Sequence, residues 1–175
     1  MNRSLRFTSL ALVLGFGLAP AACGTAKPGG PGGPTMNNKV GGNDIEYRSP
    51  VVSWDILERE PVANTAQVRH ILIGWKDLAE AYGGRVDPRA AERTRKDAEA
   101  EVQKLVGELK AGADFIALMR ANSEDGGSAQ SDMPMAVSPD AQLVIEFRQL
   151  SLRLNPGEIG VCQSDYGFHI IRREP

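Results

Sequence analysis

The amino-acid sequence predicts an α+β domain over residues 51–175, with a four-stranded, mostly antiparallel sheet and three to four helices around it. Short segments typical of β-strands occur at both ends of this region, and the last two are separated only by turn residues. Segments with apolar residues at helical spacing lie between them. The resulting order, β-α-α-β-α-β-β, lacks the regular strand–helix alternation of parallel sheets and therefore favours antiparallel pairing.

The first 22 residues have the layout of a secretory signal peptide. Two arginines precede an apolar run, residues 7–18, that is too short to cross a bilayer as a permanent helix. Small residues then precede Cys23, and this arrangement resembles the lipobox of bacterial lipoproteins, in which the cysteine is lipidated. Pro20 stands where that motif usually has an aliphatic residue, so ordinary cleavage at residues 19–21 is the alternative.

Residues 23–50 are rich in glycine and proline and are predicted to be a flexible linker. Such a sequence has almost no apolar surface to bury and is therefore expected to stay disordered. Behind a lipidated cysteine it would tether the domain to a membrane, and without the lipid it would be a plain disordered terminus. Gly24 differs from the acidic residue that retains some lipoproteins at the inner membrane, which favours the outer membrane, facing the periplasm.

Charge and composition exclude several classes of function. The chain has 20 Lys and Arg against 22 Asp and Glu, without a long basic block, so nucleic-acid binding has little electrostatic support. Its two cysteines cannot form a disulfide framework or a cysteine-based zinc site. We expect no metal and no cofactor.

The first half of the domain is predicted to contain one central strand and one long helix. Residues 51–57 are apolar but few, and they fit a strand or a helix. Residues 67–74 read as a strand with two largely apolar faces, which favours a central position. Asp87 and Pro88 are predicted to begin a helix that runs to Ala111. Its buried stripe is predicted to comprise five residues: Ala98, Val102, Leu105, Val106 and Leu109.

The second half is predicted to contain two further helices. Asp114 is the expected N-cap of a short one, which buries Phe115. The polar, glycine-rich stretch 122–131 is predicted to be a loop, and residues 133–137 a short strand. Ser138 and the proline after it are predicted to start the last helix, whose apolar residues are Leu143, Val144, Phe147 and Leu150.

A hairpin is predicted to close the domain. Residues 155–158, Asn-Pro-Gly-Glu, have the chemistry of a type II turn because proline stands second and glycine third. Residues 159–163 and 167–172 are the predicted strands.

Several motifs, in the same order and spacing, resemble the parvulin-type peptidyl-prolyl cis–trans isomerases, also called rotamases. Residues 68–73, Val-Arg-His-Ile-Leu-Ile, resemble the first strand of that family. Residues 112–115, Gly-Ala-Asp-Phe, followed by Ser-Glu-Asp at 123–125, are similar to its helix start and acidic loop. Residues 155–159 resemble the turn before its final hairpin, and 166–171, Tyr-Gly-Phe-His-Ile-Ile, its closing strand.

The resemblance implies an enzyme that accelerates rotation about X-Pro peptide bonds without breaking a covalent bond. Amide resonance sets a barrier of ~18–20 kcal/mol to this rotation. The enzyme needs an apolar slot for the proline ring and polar groups that favour the twisted amide over the planar one. The implied partners are unfolded or proline-containing polypeptides among exported proteins. The basic residues Lys76, Arg85 and Arg89 are too scattered to resemble the cluster with which some parvulins select phosphorylated substrates.

The resemblance also assigns the site. Catalytic roles fall on four polar residues that are expected to form one hydrogen-bonded cluster: His70, Asp125, Ser164 and His169. Substrate binding falls on three apolar residues that are expected to wall the proline pocket: Met135, Leu143 and Phe147. Considered singly, each residue also fits an ordinary structural role, as core, turn or cap. The histidines stand out because the chain has only two and each lies inside its own motif.

Residues 131–138 depart from the family pattern. Many parvulins have a glycine-rich strand ending in an aromatic residue here, whereas this chain has Ser-Asp-Met-Pro-Met-Ala-Val-Ser. The departure predicts a shallower pocket and leaves a second interpretation open, a chaperone or peptide-binding module with weak or no catalysis. A purely structural lipoprotein is a third. Cys162 is expected to be a buried, inert residue.

Overall fold

The computed structural model of the protein describes residues 48–78, 82–131 and 133–175. The predicted signal peptide, Cys23 and the linker up to residue 47 lie outside these residues. Within the described part of the chain, no helix combines the length and apolarity needed to span a bilayer.

One four-stranded sheet organises the domain. Its strands are β1 (Ala66–Ile73), β2 (Met135–Val137), β3 (Ile159–Ser164) and β4 (Gly167–Arg173). They lie in the order β2-β1-β4-β3, and every pairing is antiparallel. The predicted sheet, the central position of β1 and the closing hairpin are therefore confirmed. The turn before the hairpin is also as predicted, because Gly157 has φ 79° and the N–H of Glu158 donates to the carbonyl of Asn155 at 2.9 Å.

Six α-helices occur in the described residues. They are α1 (Trp54–Leu57), α2 (Pro88–Ala91), α3 (Arg95–Lys110), α4 (Phe115–Asn122), α5 (Gly126–Gln130) and α6 (Ile145–Arg153), and a 3₁₀ turn covers Lys76–Leu78. Only α3, α4 and α6 have eight residues or more. The apolar segment near residue 51, for which strand and helix were both open, forms α1.

The two faces of the sheet bury different clusters. Ile71 and Ile73 of β1 pack in a cluster with residues of α3 and α4. Val68 of β1 and Ile171 of β4 belong to a second cluster, which includes Phe147 and Leu150 of α6. Because side chains alternate along a strand, His70 and His169 share the α6 face with Val68 and Ile171.

The prediction of one helix from Asp87 to Ala111 is wrong, because the chain breaks it near Thr94. The Thr94 hydroxyl accepts a hydrogen bond from the Asp97 N–H at 3.2 Å, and the Asp97 carboxylate accepts one from the Thr94 N–H at 3.0 Å. This reciprocal capping box starts a new helix, α3. The predicted buried stripe of α3 is confirmed, with Val106 partly buried, and Gly112 ends it at φ 97°.

Two further boundaries differ from prediction. The predicted loop 122–131 contains α5, because the Asp125 carboxylate accepts hydrogen bonds from the N–H groups of Gly127 and Ser128. The last helix begins at Ile145, not at Ser138, whose hydroxyl instead donates to the Asp140 carboxylate at 2.6 Å and closes a turn. Leu143 therefore lies before α6 and not on it.

Candidate active site

The two histidines lie side by side on neighbouring strands. Register pairs His169 of β4 with Leu72 of β1, and His70 with Ile171. The histidines are thus diagonal neighbours on one face, with ring centroids 5.6 Å apart and planes tilted by 50°. Both are buried, at 4% and 6% exposure. The structure thereby brings together the residues that the sequence placed in separate motifs.

Asp125 lies against His70. The distance from His70 Nε2 to Asp125 Oδ2 is 3.2 Å. The same carboxylate accepts hydrogen bonds from the Ser128 hydroxyl, at 2.6 Å, and from the first N–H groups of α5. The hydrogen bond from His70, reinforced by those from Ser128, holds the pKa of Asp125 well below its usual range, so a carboxylate persists against a buried imidazole.

Ser123 and Glu124 attach the acidic loop to β1, a role that the sequence did not reveal. The Ser123 hydroxyl accepts a hydrogen bond from the Leu72 N–H at 3.1 Å. Glu124 donates its own N–H to the Leu72 carbonyl at 2.9 Å, and its carboxylate accepts from the Gly74 N–H at 2.6 Å. Arg93 neutralises that carboxylate with a contact of 2.5 Å. Asp125 is therefore held in place by bonds to the strand that carries His70.

Ser164 lies beside His169. The Ser164 hydroxyl and His169 Nε2 are 2.8 Å apart, while His169 Nδ1 is buried and has no hydrogen-bond partner within the described residues. Burial and the neighbouring His70 lower the pKa of His169 to about 3. His169 is therefore neutral at physiological pH. Ser164 does not line the cavity, and it contacts the site through His169.

The neutral, buried state of His169 predicts a pH-dependent stability. Its pKa is about 3 in the folded state, against about 6.5 when unfolded. Between pH values equal to these two pKa values, His169 binds a proton in the unfolded chain but not in the folded one. The free energy of unfolding therefore falls as the pH is lowered through this range. Urea unfolding at pH 7 and pH 5 should show a smaller loss of stability for His169→Gln than for the wild type. Equal losses would contradict this protonation state.

Phe147 joins the two histidines from the α6 side. Its ring makes edge-to-face contacts with His70, at 5.1 Å between centroids, and with His169, at 5.4 Å. A cavity of about 450 Å³ opens above this group, and Met135 and Leu143 line it together with the three rings and Asp125. All three residues predicted to wall a proline pocket thus border one cavity, although Leu143 reaches it from the segment before α6.

Two tyrosines that the sequence did not single out line the same cavity. Tyr82 and Tyr166 are in edge-to-face contact at 5.3 Å, and the Tyr82 hydroxyl donates to the Tyr166 carbonyl at 2.7 Å. Burial, with nearby Glu124 and Asp125, raises the pKa of Tyr82 to about 12, so this phenol stays protonated. Tyr166 is the first residue of the closing-strand motif, residues 166–171, whereas Tyr82 lies in a loop whose sequence has no recognisable pattern.

Other predicted features fall outside this cavity. Cys162 is fully buried, and its burial raises the pKa of the thiol far above the ordinary value, which makes it unreactive as expected. Across residues 48–78, 82–131 and 133–175, no group of three acidic, histidine or cysteine side chains is arranged to hold a metal ion.

The arrangement is suited to binding a small apolar ring against a polar surface. Phe147, Leu143 and Met135 can enclose such a ring, and the two imidazoles with Asp125 present hydrogen-bonding groups below it. Among the described residues, no serine, threonine, cysteine or lysine side chain lines the cavity. The arrangement is therefore suited to stabilising a changed charge distribution in a bound group, without forming a covalent bond to it.

Comparison with known proteins identifies one domain family. The family model described as "PPIC-type PPIASE domain" matches residues 55–174, which include every residue of the site.

Among curated proteins, the "Foldase protein PrsA" of Geobacillus kaustophilus is 28% identical over 130 residues, covering 73% of this chain and 46% of that protein. The "Chaperone SurA" of Pseudomonas fluorescens is 33% identical over 112 residues, covering 63% of this chain and 23% of that protein. The chain thus spans less than half the length of these relatives.

Solved structures show the same fold. The solution structure of TbPIN1 has a TM-score of 0.54 at 22% identity and covers 65% of this chain and 100% of that one. The peptidyl-prolyl isomerase ESS1 from Candida albicans has a TM-score of 0.53 at 19% identity, covering 72% of this chain and 67% of that one.

Proposed function

This chain belongs to the PPIC-type PPIase domain family, the parvulin-type peptidyl-prolyl isomerases, and we propose that it catalyses cis–trans isomerisation of X-Pro bonds in unfolded polypeptides. The observation that carries the proposal is the meeting of His70, His169 and Asp125 beneath one cavity with apolar walls. Foldase and chaperone are the names of the curated relatives, which supports a role in protein folding.

In the proposed mechanism, the proline ring lies against Phe147, Leu143 and Met135. The X-Pro amide then lies over the imidazoles and Asp125, whose fixed dipoles and charge stabilise the twisted amide more than the planar one. The uncatalysed rotation takes tens of seconds or more at 25 °C. Each 1.4 kcal/mol of preference for the twisted form would accelerate it about tenfold. Ser164 holds the orientation of His169.

The proposed substrates are unphosphorylated. Among the residues that the structure describes, no lysine or arginine lines the cavity, whereas Glu124 and Asp125 do. A phosphate before the proline would approach these carboxylates, with no lysine or arginine in the lining to pair with it. This supports general X-Pro bonds in unfolded chains, not phosphopeptides.

A chaperone with little catalysis is the second candidate, favoured by the departure from the family pattern at residues 131–138. An isomerisation assay on an X-Pro tetrapeptide separates the two. An enzyme accelerates exchange in proportion to its concentration, and His70→Ala reduces the acceleration. A folded wild-type protein that leaves exchange at background but suppresses aggregation of an unfolded protein would support the chaperone instead.

We further propose that the protein is exported and acts at the cell envelope, held by a lipid on Cys23 and tethered through residues 23–50. The signal-peptide layout of residues 1–22 and the lipobox-like sequence support this proposal. An outer-membrane lipoprotein facing the periplasm is the proposed final form.

Cys23→Ser tests the anchor. If the thiol carries the lipid, the variant should move from the membrane fraction to the soluble fraction after cell lysis, because a protein chain without its acyl groups loses the hydrophobic anchoring free energy. The tetrapeptide isomerase activity of the purified variant should match the wild type. Continued membrane association of Cys23→Ser would contradict the lipid anchor and leave the isomerase proposal unaffected.

A further inference from the structure

A second cavity opens beside the first. It has a volume of about 310 Å³, and His70 and Met135 line both cavities. The rest of its wall comes from β1, from α4 and α5, and from Ser131, Met133 and Pro134 just before β2. It is thus adjacent to the proposed proline site but not used by the mechanism above.

Methionines dominate the apolar lining of this cavity. Five apolar residues, which we call the methionine groove, line it: Val68, Met119, Met133, Pro134 and Met135. Met119 is 1% exposed, Met135 is partly buried, and Met133 is 77% exposed. Unbranched, polarisable thioether side chains adapt to partners of different shape. The groove is therefore suited to apolar side chains in general and not to one particular side chain.

The exposed position of Met133 is fixed by its backbone. The Ser131 hydroxyl accepts a hydrogen bond from the Met133 N–H at 3.2 Å and donates one to the Met133 carbonyl at 3.1 Å. The Arg69 guanidinium donates to the Ser131 carbonyl at 3.4 Å, which links this turn to β1. An apolar side chain that is held outward at the rim of a cavity exposes apolar surface to water, which is unfavourable. A bound apolar group would cover this surface and so gain binding free energy.

The shared wall of the two cavities indicates the occupant. An extended chain advances ~3.3–3.6 Å per residue, and the two cavities lie next to each other because His70 and Met135 line both. We propose that the methionine groove binds an apolar side chain of the same polypeptide whose proline ring occupies the first cavity, at one position within about three residues of that proline. This inference rests on the proposed function and narrows its substrate class.

The consequence is selection of unfolded chains. Large apolar residues are mostly buried in folded proteins and become accessible in unfolded ones. A groove for the apolar neighbour therefore favours X-Pro bonds in segments that will enter a core.

A leucine scan tests the groove. In a series of alanine-rich peptides with one proline, a single leucine is moved through the three positions on either side, and KM is measured for each by NMR exchange. At one position, leucine should lower KM by about five- to tenfold relative to the all-alanine peptide. Met133→Ser should reduce this ratio to about one, because it removes the apolar rim. The exposed side chain of Met133 makes this change compatible with folding.

Val62→Ser is the matched control. Val62 is also an exposed apolar residue, at 50%, but it does not line either cavity, so the leucine ratio should stay at its wild-type value. The proposal is overturned if leucine lowers KM equally at every position, or if Met133→Ser leaves the ratio unchanged.

A wild-type protein that isomerises none of the peptides would refute the proposed function but not the groove. Peptide affinity, measured by fluorescence anisotropy, then replaces KM. A leucine-dependent affinity that Met133→Ser abolishes supports the groove, and an affinity independent of leucine position overturns it.

Discussion

Replacing Asp125 with asparagine is expected to lower kcat/KM for an X-Pro tetrapeptide by about a hundredfold. The variant loses the negative charge at 3.2 Å from His70 Nε2, and with it the strong acceptor that fixes the tautomer of this imidazole. The amide oxygen can still accept from the Gly127 and Ser128 N–H groups that cap α5. The fold should therefore persist. The loss should appear mainly in kcat, since Asp125 is not part of the apolar wall.

Asp114→Asn is the matched control for this effect. Asp114 is the N-cap of α4, where its carboxylate accepts from the Ala117 N–H at 2.7 Å. It therefore undergoes the same chemical change at another helix start, and its kcat/KM should stay within about twofold of the wild type. Because the pKa of Asp125 is depressed, its charge in the folded protein should persist below about pH 4, the ordinary value for an aspartate. An Asp125→Asn variant as active as Asp114→Asn would show that the carboxylate has no catalytic role.

Gly167→Ala is expected to destabilise the fold by about 3 kcal/mol or more. Gly167 has φ 133°, a conformation that residues with a side chain rarely adopt. A Cβ at this position would lie 2.5 Å from the Ile73 carbonyl oxygen and 3.1 Å from Gly74 Cα, and neither backbone atom can move freely. The strain falls where β4 begins, two residues before His169, so the site should be displaced as well. The urea midpoint and the isomerase activity should both fall.

Gly107→Ala is the control for Gly167→Ala. Gly107 lies inside α3, and a Cβ there would meet no atom within 4 Å. Alanine should stabilise this position by about 0.5–1 kcal/mol, because glycine is a poor helix former. The two substitutions add the same methyl group. Opposite effects on the free energy of unfolding would therefore show that the backbone conformation at Gly167 causes the loss of stability. A Gly167→Ala protein as stable as the wild type would contradict the geometry of the β4 start.

The periodicity of apolar residues was sufficient to predict the strands of the sheet, but it did not predict every helix boundary. The strand carrying His70 has a clear two-sided apolar pattern, and its central position followed from that pattern. The break at Thr94 was missed because the helical spacing from Ala98 onward obscured the capping box that precedes it. The start of α6 has no side-chain cap at Val144, so tertiary packing of Phe147 and Leu150 sets it, and no local signal predicted it.

The same contrast holds for the site. The histidines and Asp125 lie in motifs whose resemblance to parvulins was visible in the sequence, whereas Met135 of the apolar wall lies in the segment that departs from the family pattern. The contacts that position them join residues far apart, such as the Glu124 carboxylate with the Gly74 N–H and the Tyr82 hydroxyl with the Tyr166 carbonyl. Such contacts depend on the assembled fold, and local sequence does not specify them. Whether residues 131–138 make catalysis weaker than in other parvulins stays a prediction.

The most direct test of the central claim locates the proline ring of a bound substrate. Isotope-filtered NMR on the protein with an X-Pro peptide measures nuclear Overhauser contacts between the proline ring and protein side chains. We expect contacts to the Phe147 ring and the Leu143 methyl groups, which border the cavity above the histidines. Proline-ring contacts to another surface, with none to Phe147 or Leu143, would contradict the assignment of this cavity as the isomerase site.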